Sequence, residues 1–361
     1  MSTVTTAPPT VRFKQIPADF VVEELPAYEP SGAGEHVYVT LRKTGLTTPD
    51  AVRALCTALG ADARQAGWAG MKDKHAVTTQ TVSIQVPLAT DAAEKLRALE
   101  VPGLEVLRVA RHGNKLKPGH LVGNRFAIRL REVADEADTS IVAGLEQLAR
   151  TGVPNAFGPQ RFGRDGANAD RAFAWLAGTE RGPRDKRDQR FWFSALQSVL
   201  FDDVLRTRVE DGSWCSVLPG DLAKRHDSGG MFTVPLEGPE LDDARTRAEA
   251  GLVSATGPMF GASMRWPEGP VAACERAALD TRGIDPARLD AFRAHGEGTR
   301  RPLRTMLAEL SIARIPGELL VGFVLPKGAY ATTVLGACCT LVEPPRGREA
   351  EVAAPLVEDL S

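Results

Sequence analysis

Apolar and polar residues alternate over several short runs in the first third of the chain. Three such runs are Val37-Val39-Leu41, Val82-Ile84-Val86 and Phe126-Ile128-Leu130. A repeat of two residues is typical of a strand that buries one face and exposes the other. The pattern therefore predicts three half-buried strands, of which the second extends from Val77 to Val86.

A helix is predicted between the first two of these strands. Thr48 is a suitable N-cap, Pro49 fits the first helical position, and Gly60 ends the pattern. Apolar residues recur at helical spacing from Val52 to Leu59. Helices and strands thus alternate along this part of the chain.

The pattern changes from about residue 152, where helical stretches become longer. One runs from Asn168 to Ala177 and ends at Gly178, and another runs from Phe191 to Val209 with an apolar stripe on one face. A chain of 361 residues has room for two or three structural units. We therefore expect this middle segment to be a second unit.

Composition and cysteine usage exclude several classes of protein. The net charge is −2. The five cysteines form no C-x-x-C pair, so neither a zinc ribbon nor a secreted disulfide scaffold is indicated. No stretch approaches the roughly 18 apolar residues that span a bilayer, and the first residues do not resemble a secretory signal. We expect a cytoplasmic protein without a membrane segment.

Common cofactor motifs are absent from the sequence. It contains no G-x-x-x-x-G-K-[ST], G-x-S-x-G or H-E-x-x-H segment and no complete G-x-G-x-x-G segment. Nucleotide hydrolysis and dinucleotide redox chemistry are therefore not indicated. The sequence favours a mechanism without a cofactor or a metal ion.

Positive charge is concentrated in two places. Residues 108–131 contain seven Lys or Arg and no acid, and a second basic cluster between 181 and 190 precedes the aromatic residues 191–193. Basic stretches beside aromatic residues suit a phosphate backbone and stacked bases. Solvated faces beside a core helix explain the same pattern, so both interpretations stay open at this point.

The segment GMKDKH at 70–75 places Asp73 between two lysines, directly before a predicted strand. Such a segment is commonly an exposed turn with a surface ion pair. Its chemical interpretation is a permanently ionised carboxylate, because an aspartate pKa of about 3.9 is lowered further by cationic neighbours. That charge suits a nucleophile rather than a general acid.

Seven segments spread over almost the whole chain carry a resemblance to a known family. They are KQIPADFVVEE (14–24), PSGAGEHVYVTLRKTGLTT (30–48), GMKDKHAVTTQ (70–80), GNRFAIRLR (123–131), VPNAFGPQRFGRDGAN (153–168), TGPMFG (256–261) and LPKGAYATTVL (325–335). Together they resemble the TruD family of tRNA pseudouridine synthases. A single motif of this kind would be a weak signal, whereas the combination is highly specific.

This resemblance implies the fold and the division into domains. The fold class is α+β, with a catalytic core whose mixed, largely antiparallel sheet is flanked by helices. The core comprises residues 1–151 together with 305–361, and an α+β insertion domain at 152–304 interrupts it. The two parts are expected to form a cleft.

The resemblance also implies an activity. Members isomerise a uridine of tRNA, typically at position 13, to pseudouridine without a cofactor, by cutting the N-glycosidic bond and rejoining the base through carbon. The implied partner is tRNA, with no obligate protein partner, and the implied state is a monomer. Because the target base lies in a stack, it has to be flipped out before the reaction.

Six residues match functional positions of the family. Asp73 matches the catalytic aspartate and Lys14 the basic residue of the active site. Whether Asp73 attacks the sugar or removes a sugar proton to give a glycal is not decided by the sequence. The substrate-binding positions are matched by Phe20, Asn124, Phe126 and Tyr330, with Phe126 expected to stack on the uracil.

Two departures from the family pattern leave other interpretations open. Ala156 replaces a common aromatic residue, and Gly336-Ala337 replaces an Arg-Glu pair. An RNA-binding or RNA-folding module that has lost the chemistry is therefore the alternative function. A metal-dependent nuclease would need carboxylates at recognisable spacing, and the sequence offers none.

Overall fold

The computed structural model describes residues 8–158, 162 and 167–344. The chain divides into two compact units: the first is Met1–Ala149 with Leu307–Ser361, and the second is Arg150–Met306. Residues 159–161 and 163–166, within the predicted motif at 153–168, lie outside the described part.

Sixteen strands and nine helices are assigned in the described ranges. The strands are β1 Thr10–Arg12, β2 Phe20–Pro26, β3 His36–Thr44, β4 Gly67–Trp68, β5 Val77–Gln85, β6 Leu104–His112, β7 Leu121–Arg131, β8 Val153–Pro154, β9 Leu222–Arg225, β10 Met231–Thr233, β11 Val253–Met259, β12 Thr299–Pro302, β13 Arg304–Thr305, β14 Ala308–Ile315, β15 Glu318–Pro326 and β16 Thr340–Val342. The helices are α1 Thr48–Leu59, α2 Ala92–Arg97, α3 Asp135–Thr151, α4 Asn168–Ala177, α5 Lys186–Glu210, α6 Pro239–Glu249, α7 Gly269–Thr281, α8 Pro286–Asp290 and α9 Ala331–Gly336.

A ten-stranded mixed sheet forms the centre of the first unit. Its main path is β14-β15-β7-β2-β5-β3-β6, while β1 joins β7 to β16 and β4 pairs with β5. The pairs β1–β16 and β2–β5 are parallel, and the other pairs are antiparallel. This mixed sheet with its helices confirms the predicted α+β class.

The alternating runs of the sequence form β3, β5 and β7, as predicted. The apolar phase of β3, from Val37 to Leu41, packs with Val52 and Leu55 of α1 in one hydrophobic cluster. Helix α1 therefore covers the apolar face of β3, because the apolar stripe of the helix matches the apolar phase of the strand. Ala92 and Leu96 of α2 belong to the same cluster.

The N-cap prediction for α1 was wrong by one residue. Thr47, which has an extended backbone, accepts a hydrogen bond from the amide of Asp50, and the Asp50 carboxylate accepts one in return from the amide of Thr47. This reciprocal capping box decides between two adjacent threonines. Thr48 is buried instead in the first turn, and Gly60 ends the helix in the left-handed conformation, as predicted.

The second unit contains a four-stranded sheet in the order β10-β9-β11-β12 and the short pair β13-β8. Helix α4 has the predicted bounds and ends at Gly178. Helix α5 begins at Lys186 with Asp185 as its N-cap, five residues before the predicted start, so part of the second basic cluster lies in its first turns. No helix in the described ranges is long and apolar enough to cross a membrane.

Candidate active site

The two predicted catalytic residues meet in the first unit. The Lys14 ammonium donates a hydrogen bond of 2.6 Å to Asp73 Oδ2. The lysine side chain is 10% exposed and that of the aspartate 33%, so the pair is partly shielded but open to solvent on the aspartate side. Lys14 lies between β1 and β2, and Asp73 lies in the loop that leads into β5.

The backbone at Lys14 adopts a left-handed conformation with φ of 53°. This conformation costs a residue with a Cβ about 1–3 kcal/mol and persists only where the surroundings impose it. The neighbouring residues supply that constraint: the Phe13 amide donates to the carbonyl of Val342, and the buried Asp19 accepts two hydrogen bonds from the Arg131 guanidinium. Lys14 is thus held at both ends of its segment.

The Lys14 ammonium also lies over an aromatic ring. Its Nζ is 4.2 Å from the ring centroid of Phe20, a distance at which a cation is attracted to the ring face. Phe20 belongs to a row of neighbouring rings, with centroid distances of 5.4 Å from Phe13 to Phe20, 5.9 Å from Phe20 to Phe126 and 5.6 Å from Phe126 to Phe323. The predicted substrate-binding residue Phe20 therefore lies beside the charged pair, and Phe126 is the next ring of the row.

Opposing effects act on the pKa of Asp73. Burial raises this pKa, whereas the hydrogen bond from Lys14, the amide of His75 and the charge of Lys14 lower it, and the net result lies below the usual value. The His75 amide donates to Oδ1 at 2.9 Å, so each carboxylate oxygen accepts one hydrogen bond. Asp73 is consequently ionised at neutral pH, as the sequence predicted.

The charge beside Asp73 comes from a distant lysine rather than from the adjacent Lys72. Lys72 Nζ lies 2.7 Å from Glu24 Oε2, and both side chains are buried, although that oxygen lacks good hydrogen-bond geometry. Glu24 Oε1 accepts a hydrogen bond from the amide of Thr81, just beyond the point where the β2–β5 ladder ends. The K-D-K segment is therefore not a simple exposed turn.

Buried polar side chains hold the loop that carries Asp73 through hydrogen bonds to its backbone. The ammonium of Lys43 donates to the carbonyls of Leu46, Lys72 and Asp73 at 2.9, 3.3 and 3.0 Å. Thr48 Oγ1 accepts a hydrogen bond from the amide of Lys72 and donates to Gln80 Oε1. Lys43, Thr48 and Gln80 were not predicted as site residues.

Burial also shifts the pKa of Lys43. Loss of hydration lowers this pKa to about 8, with the charge of Lys72 acting in the same direction and those of Asp73 and Asp50 acting against it. The alternation of β3 contained a signal for this residue, since Lys43 continues the buried phase of Val37, Val39 and Leu41. A charged residue in the buried phase of a strand is unusual unless it is paired.

Strand register places Asn124 near this site. In β7, Asn124 lies opposite Glu24 of β2 and Leu325 of β15, two residue pairs along from Phe126, which lies opposite Val22 and Phe323. Asn124 Oδ1 is buried without a hydrogen-bond partner. Buried acceptors are normally paired, so this oxygen is available to a donor that enters the site.

Tyr330 is the predicted site residue with the most exposed side chain. It follows β15, directly before α9, and is 64% exposed. Its ring stacks on none of the four phenylalanines of the aromatic row in the part of the chain described. The structure thus joins Lys14 to both Asp73 and Phe20, with Phe126 as the ring next to Phe20 and Asn124 two residue pairs along β7 from Phe126.

Within the described ranges, no group of three His, Cys, Asp or Glu side chains is arranged to hold a metal ion. The arrangement around Asp73 comprises one ionised carboxylate, one ammonium and an aromatic wall. Such a set can stabilise a cation-like sugar carbon on one side and a negatively charged leaving group on the other.

Comparison with known proteins identifies the family. The sequence model described as tRNA pseudouridine synthase D (TruD) matches residues 2–171 and 185–337. A tRNA pseudouridine synthase D of Geobacter sulfurreducens is 39% identical over 90% of this chain and 92% of its own length. One from an Anaeromyxobacter species is 43% identical over 89% and 90%.

A solved structure of a TruD protein has the same fold as this chain. The crystal structure of a TruD protein from Methanosarcina mazei superposes with a TM-score of 0.76 and covers 92% of this chain and 94% of that one. At 22% identity it supports the shared fold alone. Together with the sequence relatives, which extend over about nine-tenths of the chain, it leads to one assignment: the chain belongs to the TruD family of tRNA pseudouridine synthases.

Proposed function

We propose that this protein isomerises a uridine of tRNA, at position 13, to pseudouridine, with Asp73 as the catalytic carboxylate. The observation that carries the proposal is the 2.6 Å pair of Asp73 and Lys14 beside the ring of Phe20, which adjoins the ring of Phe126. The tRNA substrate is supported by the names of the relatives, which cover about nine-tenths of the chain.

Asp73 acts on the ribose in its ionised form. In one route, a carboxylate oxygen bonds to C1′ while the N1–C1′ bond breaks and its electron pair leaves with the uracil. In the other route, the carboxylate removes a sugar proton as the same bond breaks, which gives a glycal. Both routes require an ionised carboxylate, and the Lys14 hydrogen bond favours the ionised form of Asp73 against the effect of burial.

Lys14 stabilises the detached base. The uracil leaves as an anion, and an ammonium at about 4 Å is worth roughly 4 kcal/mol at an effective dielectric of ~20. After the base rotates, C5 bonds to C1′ as the bond from Asp73 to C1′ breaks or, in the glycal route, as Asp73 returns the sugar proton. C5 then loses its proton and N1 gains one. The uracil remains bound throughout, which requires a pocket with little water.

Phe20, Asn124, Phe126 and Tyr330 bind the flipped base in this proposal. Stacking on an aromatic ring contributes about 1–3 kcal/mol, which offsets the few kcal/mol needed to unstack the base. Phe126 is only 6% exposed, so the base reaches its ring after a neighbouring side chain moves. The unpaired Asn124 Oδ1 suits the N3–H donor of uracil.

The two units have different roles in the proposal. Residues 1–151 with 305–361 form the catalytic core, which holds all six proposed site residues, and 152–304 form the insertion domain. A cytoplasmic monomer stays a prediction of the sequence.

The alternative is an RNA-binding or RNA-folding module without chemistry. A pure binder gains nothing from an ionised aspartate at an RNA site, because the carboxylate repels the phosphates. The retention of Asp73 together with Lys14, Asn124 and Phe126 therefore favours the enzyme.

Purified protein and tRNA labelled with tritium at C5 of uridine test the proposal. We expect tritium release without added metal, and loss of pseudouridine at position 13 in tRNA from cells that lack the gene. RNA binding without tritium release would support the binding module instead.

A further inference from the structure

Lys43 is a fully buried charged residue beneath the loop that carries Asp73. Its side chain has no exposed surface, and its ammonium donates to three backbone carbonyls. One carbonyl belongs to Leu46, directly before α1, and the other two belong to Lys72 and Asp73. One ammonium group thus joins the start of a helix to the catalytic loop.

We propose that Lys43 is a positioning residue for the isomerisation: its buried ammonium fixes the carbonyls of Lys72 and Asp73 and so aims the Asp73 carboxylate at the ribose. This inference rests on the proposed function of Asp73. Lys43 does not touch the substrate, because it is covered on all sides.

The number of donors supports this role. A protonated lysine has three N–H groups, and each of the three carbonyls accepts one of them. A neutral amine has only two N–H groups, which leaves one buried carbonyl without a partner. Other hydrogen bonds hold this loop: Thr48 binds the amide of Lys72, Gln80 binds the carbonyl of Gly70, and the amide of Gly45 donates to the carbonyl of Lys74. None of these reaches the carbonyl of Asp73.

Several charges face this ammonium. Asp73 in the loop and Asp50 on α1 favour its protonated form, whereas burial and the neighbouring Lys72 favour loss of the proton. Lys14 and Glu24 act one step away, through their pairs with Asp73 and Lys72. With a pKa of about 8, the three-donor form is present below pH 8 and is lost as the pH rises through that value.

Deprotonation of Lys43 is expected to lower activity as the pH rises, but the contribution of this residue to the free energy of unfolding changes in the opposite direction. The pKa of Lys43 in the folded protein is lower than its ordinary value of 10.5, so between about pH 8 and 10.5 the unfolded chain binds one more proton than the folded one at this group. Stability from Lys43 therefore rises with pH in this window. An alkaline loss of activity caused by Lys43 is thus distinguishable from unfolding.

The test uses the full chain with Lys43→Met, which keeps the length of the side chain and removes its donors. We expect kcat for tritium release to fall by about 100-fold, as for other small misplacements of a catalytic group. The KM and the Kd for tRNA should stay within about threefold, because no substrate contact is removed. The matched control is Arg42→Met, which removes one positive charge from the exposed face of the same strand and should leave kcat unchanged.

The pH profile of the wild type is the second measurement. We expect single-turnover tritium release to decline with a midpoint near pH 8 while Tm does not fall, and we expect this decline to be absent from the residual activity of Lys43→Met. If circular dichroism shows that the Lys43→Met variant does not fold, the pH profile of the wild type alone tests the inference. A wild-type rate of tritium release that stays constant up to pH 9.5 overturns it.

Other results are equally decisive. Wild-type kcat in a folded Lys43→Met variant, or an equal loss in Arg42→Met, contradicts a positioning role. If the wild type itself releases no tritium, the proposed function fails rather than the role of Lys43.

Discussion

Lys14 Nζ and Asp73 Oδ2 are 2.6 Å apart, although 59 residues separate them in the sequence. The contact joins a strained loop before β2 to the loop before β5. It sets the protonation state of Asp73, because the lysine lowers a carboxyl pKa that burial alone would raise. Several measurable consequences depend on this relationship.

Replacement of Lys14 by Met should lower kcat and move the acid limb of the pH profile upward. The loss of about 4 kcal/mol of charge stabilisation corresponds to a decrease in kcat of up to about 1000-fold. Without the lysine, less opposes the effect of burial, so the pKa of Asp73 rises and the ionised form is lost at a higher pH than in the wild type. The pH dependence of kcat/KM measures both effects.

Lys74→Met is the matched control for that substitution. Lys74 is adjacent to Asp73 but exposed, so its removal should leave the acid limb at its wild-type position. An unchanged limb in Lys14→Met would show that Lys14 does not control the ionisation of Asp73.

Phe126→Leu should reduce kcat/KM by about 10- to 100-fold, which corresponds to the loss of one base-stacking contact of about 1–3 kcal/mol. Phe323→Leu is the comparison, because Phe323 is the next ring of the same row, lies opposite Phe126 and is fully buried. It should lower Tm with little change in kcat/KM. Equal kinetic effects of the two substitutions would assign Phe126 to the core alone.

Glu24→Gln should destabilise the protein by about 3–5 kcal/mol, because it leaves the buried ammonium of Lys72 without an opposite charge. The double variant Glu24→Gln with Lys72→Met should recover much of that loss, since neither charge then remains. Urea unfolding gives both values. A single variant as stable as the wild type would mean that Lys72 finds another partner.

Asp202→Asn should stabilise the second unit above pH 6. Burial raises the pKa of Asp202 to about 6, while its hydrogen bond from the Phe157 amide and the charge of Arg301 oppose the shift. Since this pKa exceeds the unfolded value of 3.8, the contribution of the carboxyl is full below pH 4 and is lost as the pH rises through 6.

The neutral amide introduced by Asp202→Asn does not ionise, so the variant keeps its free energy of unfolding as the pH rises. The difference from the wild type is about 2 kcal/mol at most, because solvent screens this half-buried group. When Tm is measured from pH 4 to 8, the variant should therefore have a higher Tm than the wild type only above about pH 6. A constant difference across this range would contradict the raised pKa of Asp202.

The elements with a strong period were predictable from the sequence. The apolar alternation of β3, β5 and β7 gave the right strands, and Gly178 gave the right end of α4. The cap of α1 was wrong because Thr47 and Thr48 are both good caps, and only the position of Asp50 decides between them. The start of α5 was missed because charged residues fill its first turns.

The site was predictable only in part. Local sequence suggested that Lys72 and Lys74 would keep Asp73 ionised, whereas the structure pairs it with Lys14 and pairs Lys72 with Glu24. Contacts of this kind depend on strand order, which periodicity does not contain. The charges at Lys43 and Glu24 were nevertheless visible, since both occupy the buried phase of a strand.

The measurement that tests the catalytic role of Asp73 most directly is tritium release by Asp73→Asn from tRNA labelled at C5 of uridine. We expect no release above the blank, with the Kd for tRNA within a few fold of the wild type, because asparagine keeps the shape but has no charge with which to attack or to remove a proton. Turnover by the folded Asp73→Asn variant at a rate near that of the wild type would contradict the assignment of the catalytic carboxylate.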